Sequence, residues 1–280
     1  MKLIIHGGFF SESSTSAETK LAKQDALRRI LYETYSFLQH HSALETVIHA
    51  VELLENDALF NAGTGSQIQS DGKIRMSASI MDGVSKKFSG VINIEEVKNP
   101  IRVAEKLFSA EDRVLGGEGS IVFARKNKFD KYSTEIPQRR IEYEQKRAAA
   151  GMGTVGCVAL DAQGHLAAAT STGGKGFEIP GRISDSATVA GNYCNEFCGV
   201  SCTGVGEDIV SGALAAKIVT RVTDGMQLES AVQKTFEELS RFDGFAGVIA
   251  MDANGRMYHF NSHPKIVFGS YDGDELNVFD

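Results

Sequence analysis

The chain has 280 residues and a net charge of −7, from 29 Lys and Arg against 36 Asp and Glu. With 42% hydrophobic and 23% charged residues it has the make-up of a folded globular protein, which excludes a disordered chain. No long uncharged apolar run offers a membrane span, the apolar part of Met1–Gly8 is too short for a secretory signal, and an acidic balance without Trp argues against a dedicated nucleic-acid binder, so a cytoplasmic enzyme is the expectation.

In chain order, the opening Lys2-Leu3-Ile4-Ile5-His6 reads as a buried strand. Apolar residues at near-helical spacing predict a helix over Thr19–Leu38. A second helix starts at Ser42, whose Glu45 three residues on completes a capping box, and Leu44, Val47, Ile48, Val51 and Leu54 form one apolar stripe. Strand-like runs follow at 73–81 and 88–97, and Pro100 opens a helix to Phe108. Residues 125–147 hold eight basic residues against four acidic ones and read as a solvated, mobile linker rather than a nucleic-acid arm. Beyond it, Val155–Leu160 and Leu166–Thr172 are strands joined by the turn Asp161-Ala162-Gln163-Gly164. A strand around Gly199–Cys202, helices over Glu207–Val222 and Leu228–Leu239, and a hairpin of Val248–Met251 with Arg256–Phe260 complete the pattern. Hairpins and paired helices point to an α+β fold with largely antiparallel sheets.

Two motifs invite readings that their context opposes. Gly151-Met152-Gly153-Thr154-Val155-Gly156 spells GxGxxG, but a charged stretch precedes it and a strand follows, the reverse of a dinucleotide-binding turn. Cys194, Cys198 and Cys202 are evenly spaced, yet only Cys157 could complete a set, so reduced thiols are expected and no metal is assigned.

The informative stretch is 153–207. It contains Gly153-Thr154, Thr170-Ser171-Thr172-Gly173-Gly174, Gly181-Arg182-Ile183-Ser184-Asp185-Ser186 and Cys202-Thr203-Gly204-Val205-Gly206-Glu207. Taken singly, Arg182 and Asp185 read as a surface ion pair, and Thr172, Thr203, Asn61, Gly204 and Gly206 as turn or capping residues. In this order and spacing, together with His6-Gly7-Gly8, Phe60-Asn61-Ala62-Gly63 and Ala78-Ser79-Ile80-Met81-Asp82-Gly83, they resemble the isoaspartyl peptidases and plant-type L-asparaginases, which are N-terminal-nucleophile hydrolases. The resemblance covers almost the whole chain.

The resemblance implies a four-layer αββα sandwich in a single domain, residues 1–280. It is cut at Gly153–Thr154 into an α-subunit, 1–153, ending in a mobile linker of about 125–153, and a β-subunit, 154–280. Thr154 would be the nucleophile, its freed α-amine supplying the base that a hydroxyl needs. Thr172 would orient it, and Thr203 and Gly204 would form the oxyanion hole at the start of the helix expected from Glu207. Arg182 and Asp185 would clamp the substrate's α-carboxylate and α-ammonium, with Asn61 and Gly206 nearby. The implied reaction is hydrolysis of β-aspartyl dipeptides and of the L-asparagine side-chain amide. A glycosylasparaginase-like hydrolase and an uncleaved, catalytically silent binding protein are the alternatives. No cofactor is required. The family's sodium site, held by backbone carbonyls, would fall in the loop around Leu54–Thr64. A dimer of αβ heterodimers is the implied assembly, with no nucleic acid or membrane partner. Ser184 stands where the family has Gly and Ala187 where it often has Pro, and Phe9, Phe10 and Asn261-Ser262-His263-Pro264 also depart from its pattern; these bear on substrate preference.

Overall fold

The computed structural model describes residues 1–9, 17–145, 153–263 and 265–280, so the stretch 10–16 with Phe10, the stretch 146–152 and Pro264 lie outside the described residues. The first strand, β1 (Lys2–Phe9), leads to helices α1 (Ala17–Leu38) and α2 (Ala43–Glu55), then to β2 (Met76–Asp82), β3 (Phe88–Ile94) and α3 (Pro100–Leu107). Next come β4 (Val114–Gly116), α4 (Gly117–Lys126) and α5 (Pro137–Glu144). The hairpin β5 (Thr154–Leu160) and β6 (Leu166–Thr172) is followed by β7 (Asn192–Cys194) and β8 (Cys198–Gly204). Helices α6 (Gly206–Gly212), α7 (Leu214–Thr223) and α8 (Leu228–Ser240) precede β9 (Ala246–Asp252), β10 (Met257–Asn261), β11 (Ile266–Tyr271) and β12 (Leu276–Val278).

Local chemistry accounts for much of this. Ser42 accepts from the Glu45 amide while the Glu45 carboxylate accepts from the Ser42 amide, so the expected capping box starts α2. Pro100 occupies the first turn of α3, where its missing N–H costs nothing. The expected helix over Glu207–Val222 is instead two helices. Ala213 between them adopts a left-handed conformation (φ 49°), and the amides of Ala215 and Ala216 bond to Ala190 and Val189 carbonyls rather than to their own helix.

The strands form two sheets. The larger has the order β12-β11-β1-β5-β6-β2-β3-β4, antiparallel except for the β3–β4 pair, and the smaller runs β10-β9-β8-β7. Side chains of β5 and β6 alternate between the sheet's two faces. Val155, Cys157, Ala159, Ala167 and Ala169 pack with residues of α1, α2 and α3, whereas Val158, Leu160, Leu166 and Ala168 share a core with Ile249 and Met251 of the smaller sheet. On β8, Cys198, Val200 and Cys202 face α7 and α8. The chain is thus a mixed α and β fold of stacked sheets.

The basic stretch departs from the linker expected there. As far as Gln145, residues of this stretch are anchored. Arg139 Nε donates to Gly65 O at 2.9 Å, the Tyr143 ring stacks on Phe177 at 5.0 Å, and Arg125 donates to the carbonyls of Glu96, Phe129 and Asp130. Lys131 pairs with Glu96 and Arg140 with Glu135, so several of its cations are engaged within the chain.

Candidate active site

Register brings the two hydroxyls together. Thr154 of β5 is paired directly with Thr172 of β6, and counting by twos puts both on the face turned toward the smaller sheet. Thr154 Oγ1 donates to Thr172 Oγ1 at 3.3 Å, and Thr172 Oγ1 donates to Gly153 O at 3.1 Å while accepting from Gly174 N at 3.2 Å. Asn61 Nδ2 donates to the same Gly153 O at 2.8 Å and also to Gly174 O. Its Oδ1 accepts from Gln67 N at 3.0 Å, which fixes the amide's orientation. The carbonyl preceding Thr154 therefore carries two donors. Thr154 and Thr172 are both buried.

Thr203 lies at the end of β8 on the inward face, in phase with Ser201, which bonds Thr170 at 2.7 Å and His6 at 2.9 Å. Burial pushes the His6 imidazole down to about 3, so it is neutral. Thr203 Oγ1 is buried and makes no hydrogen bond. Gly204 must be glycine: its φ is +139°, and a Cβ there would lie 2.5 Å from Phe245 O. The helix that follows is only seven residues long, so the support expected from a long helix dipole at this point is weaker than the sequence suggested.

A second cluster surrounds Gly206. Arg182 makes a bidentate pair with Glu207, Nε to Oε1 at 2.7 Å and Nη2 to Oε2 at 2.8 Å, rather than pairing with Asp185. This contact holds the Glu207 carboxyl down at about 2. Asp185 is buried, with Oδ1 accepting from Ser184 Oγ at 2.7 Å and Oδ2 without a partner; burial raises its carboxyl to about 6. Thr172, Gly174, Arg182 and Ser184 line one narrow crevice of about 10 Å³, enough for a single water, so it joins the two clusters.

The candidate catalytic and substrate-binding residues thus fall in two adjoining groups, Thr154–Thr172–Gly153–Asn61 and Arg182–Asp185–Gly206, with Thr203 and Gly204 on the facing strand. Two further residues belong here. Glu207 closes the Thr203–Glu207 motif and reads from the sequence as a helix start, but its pairing with Arg182 is tertiary and has no local signal. Glu178 is buried in the crevice with Oε2 unpartnered, and its sequence neighbours gave no sign of it.

The four cysteines are free and buried, and they do not converge: Cys157 and Cys194 belong to different cores from Cys198 and Cys202. Among the described residues no group of three or more His, Cys, Asp or Glu is placed to hold a metal ion. Phe9 packs in the core between the sheets, its ring 4.6 Å from that of Phe245, so it fills the interior. Among the described residues no helix is long and apolar enough to cross a membrane.

The family model described as asparaginase matches residues 1–147 and 134–278. An isoaspartyl peptidase/L-asparaginase of Nostoc sp. is 44% identical over 98% of this chain and 93% of its own length. An isoaspartyl peptidase of Escherichia coli is 36% identical over 97% and 93%, and a plant-type L-asparaginase of Pyrococcus furiosus 34% identical over 91% of both. With the paired threonines, the doubly bonded Gly153 carbonyl and a family match that spans nearly every residue, the chain belongs to the asparaginase family.

Proposed function

We propose that the protein hydrolyses β-aspartyl dipeptides and the side-chain amide of L-asparagine, after cutting its own chain between Gly153 and Thr154. The observation that carries this reading is the scissile carbonyl itself. Gly153 O accepts from both Asn61 Nδ2 and Thr172 Oγ1, and the Thr154 hydroxyl lies beside it on the same strand start. Attack of Thr154 Oγ1 on that carbon would place the developing negative charge where two donors already point. Breaking of the Gly153–Thr154 C–N bond as the ester forms frees the Thr154 amine, and water then cleaves the ester, leaving Gly153 as a carboxylate and restoring the Thr154 hydroxyl.

In the mature enzyme that amine takes the proton from Thr154 Oγ1, which attacks the substrate's side-chain carbonyl. The Thr203 hydroxyl and Gly204 N–H stabilise the oxyanion; an unpartnered Thr203 Oγ1 on the inward face suits that role. The amide nitrogen leaves with a proton as ammonia or an amino acid, and water cleaves the acyl-enzyme. Arg182 and Asp185 hold the free amino-acid head group, as their place around Gly206 supports.

The stacked sheets and their helical cores support the four-layer αββα arrangement, read as one domain of two subunits. A dimer of such pairs in the cytoplasm, without nucleic acid or membrane partners, is the proposed setting, and four free thiols agree with a reducing compartment. The loop proposed for sodium offers carbonyl oxygens as donors. The carbonyl oxygens of Ala58 and Phe60 both turn toward Gly65, and backbone carbonyls are donors of the kind a hard cation takes.

Denaturing mass spectrometry of the purified chain, with assays of L-asparagine and β-aspartyl dipeptides, tests the proposal. Two fragments meeting at Gly153–Thr154 and turnover absent from Thr154→Ala are expected. A chain that stays whole, with wild type no faster than Thr154→Ala, refutes it.

A further inference from the structure

Three polar groups close around Gly206, which has no side chain to keep them apart. A Cβ built there would lie 2.3 Å from Ser184 Oγ, 2.8 Å from Arg182 Nη2 and 3.0 Å from Asp185 Oδ1. Ser184 Oγ commits its single proton to Asp185 Oδ1 at 2.7 Å. Its lone pairs are then able only to accept. Ser184 is half-buried and lines the same crevice as Thr172 and Arg182, so a ligand held at Arg182 comes within its reach.

The three groups differ in what they can take. The guanidinium only donates, whereas the Asp185 carboxylate and, once committed, the Ser184 hydroxyl only accept. An amino-acid head group carries one anionic acceptor and one cationic donor with three N–H bonds. One carboxylate oxygen satisfies one of those bonds, and a buried ammonium with the others unmet is costly.

We infer that Ser184 is a specificity-determining residue of the proposed hydrolase, its hydroxyl acting beside Asp185 as the second acceptor for the substrate's α-ammonium. This rests on the proposed reading of Arg182 and Asp185 as the head-group clamp. The matching family position is glycine, which has no hydroxyl, so this chain carries an additional arm. Its consequence is sharper discrimination between ligands that bear the α-ammonium and those that lack it.

The test uses the mature protein and two inhibitors of its L-asparagine hydrolysis. L-Aspartate and succinate carry the same two carboxylates, and only the first has the ammonium. In Ser184→Ala the preference for L-aspartate over succinate, read as the ratio of inhibition constants, falls about 10- to 100-fold, the range for a hydrogen bond to a charged group. Ser184→Gly, which removes the hydroxyl by installing the family's own residue, gives the same fall and serves if the alanine variant folds poorly. A ratio equal to that of wild type overturns the inference, as does an equal loss of both inhibitors. If wild-type protein hydrolyses neither L-asparagine nor β-aspartyl dipeptides, the underlying reading fails instead, and the two failures are told apart by that single control.

Discussion

Asn61 is the residue whose replacement tests the proposed self-cleavage most directly. Its Nδ2 is one of two donors on Gly153 O, at 2.8 Å against 3.1 Å for Thr172 Oγ1, and its Oδ1 is held by Gln67 N–H. Asn61→Asp keeps the shape and the acceptor for Gln67 but replaces the donor by an oxygen facing two carbonyls. Loss of one preorganised oxyanion donor lowers a rate by about 10²–10³, or roughly 2.7–4 kcal/mol. Repulsion between the new carboxylate and Gly153 O acts in the same direction. Asn61→Ala removes the donor without that repulsion, but leaves buried partners unpaired at a stability cost of about 1–3 kcal/mol. The assay is a time course of intact and cleaved chain by denaturing mass spectrometry after rapid purification. Both variants should accumulate whole chain over periods in which wild type is fully cut, with Asn61→Asp the slower. Cleavage of Asn61→Asp at the wild-type rate would refute the idea that the carbonyl is activated by these two donors.

Three further outcomes are expected. Gly206→Ala should raise KM for L-asparagine at least tenfold, because its methyl enters the space faced by Ser184, Arg182 and Asp185, while the Gly-to-Ala helix preference of about 1 kcal/mol offsets part of the strain; steady-state kinetics and a thermal melt read the two separately. Asp185 must be ionised to hold the ammonium, and burial raises it to about 6, so kcat/KM for L-asparagine should fall as pH drops through about 6 and be full above it; a profile flat to pH 5 contradicts the clamp. Glu55 accepts from Ser171 Oγ and Ile101 N, and burial raises its carboxyl from 4.5 to about 8. The folded form holds a proton that the unfolded chain releases above 4.5, so this group's stability contribution is lost as pH rises from about 4.5 to about 8, and Glu55→Gln should flatten that part of the Tm profile.

What the sequence made legible is what local chemistry decides. The Ser42–Glu45 cap, the Pro100 start and the alternation of Val155–Leu160 against Leu166–Thr172 each lie within a few residues, and each element formed where its pattern was. The pairing of Thr154 with Thr172 also follows from the hairpin, since the turn Asp161–Gly164 sets the register. The break at Ala213 was hidden because it is imposed by carbonyls of Val189 and Ala190, far away in the chain. The same holds for the bond between Arg182 and Glu207 and for the anchoring of the basic stretch by Gly65. Edge strands such as β4 and β12 are three residues long, too short for any period to register.

The strand order carries a consequence for the life of the molecule. In the larger sheet β1 lies between β11 and β5, and β2 pairs with β6, so strands on either side of Gly153 alternate across three ladders. A cut before Thr154 would leave two pieces woven through one sheet, with neither able to leave until those ladders tear. Folding would therefore have to precede the cut, and the order would not be reversible. A mature molecule, once denatured, must find its other half by collision, so its recovery would be second order in protein and its melting temperature would rise with concentration. The uncut Thr154→Ala chain, by contrast, should refold at a rate independent of concentration.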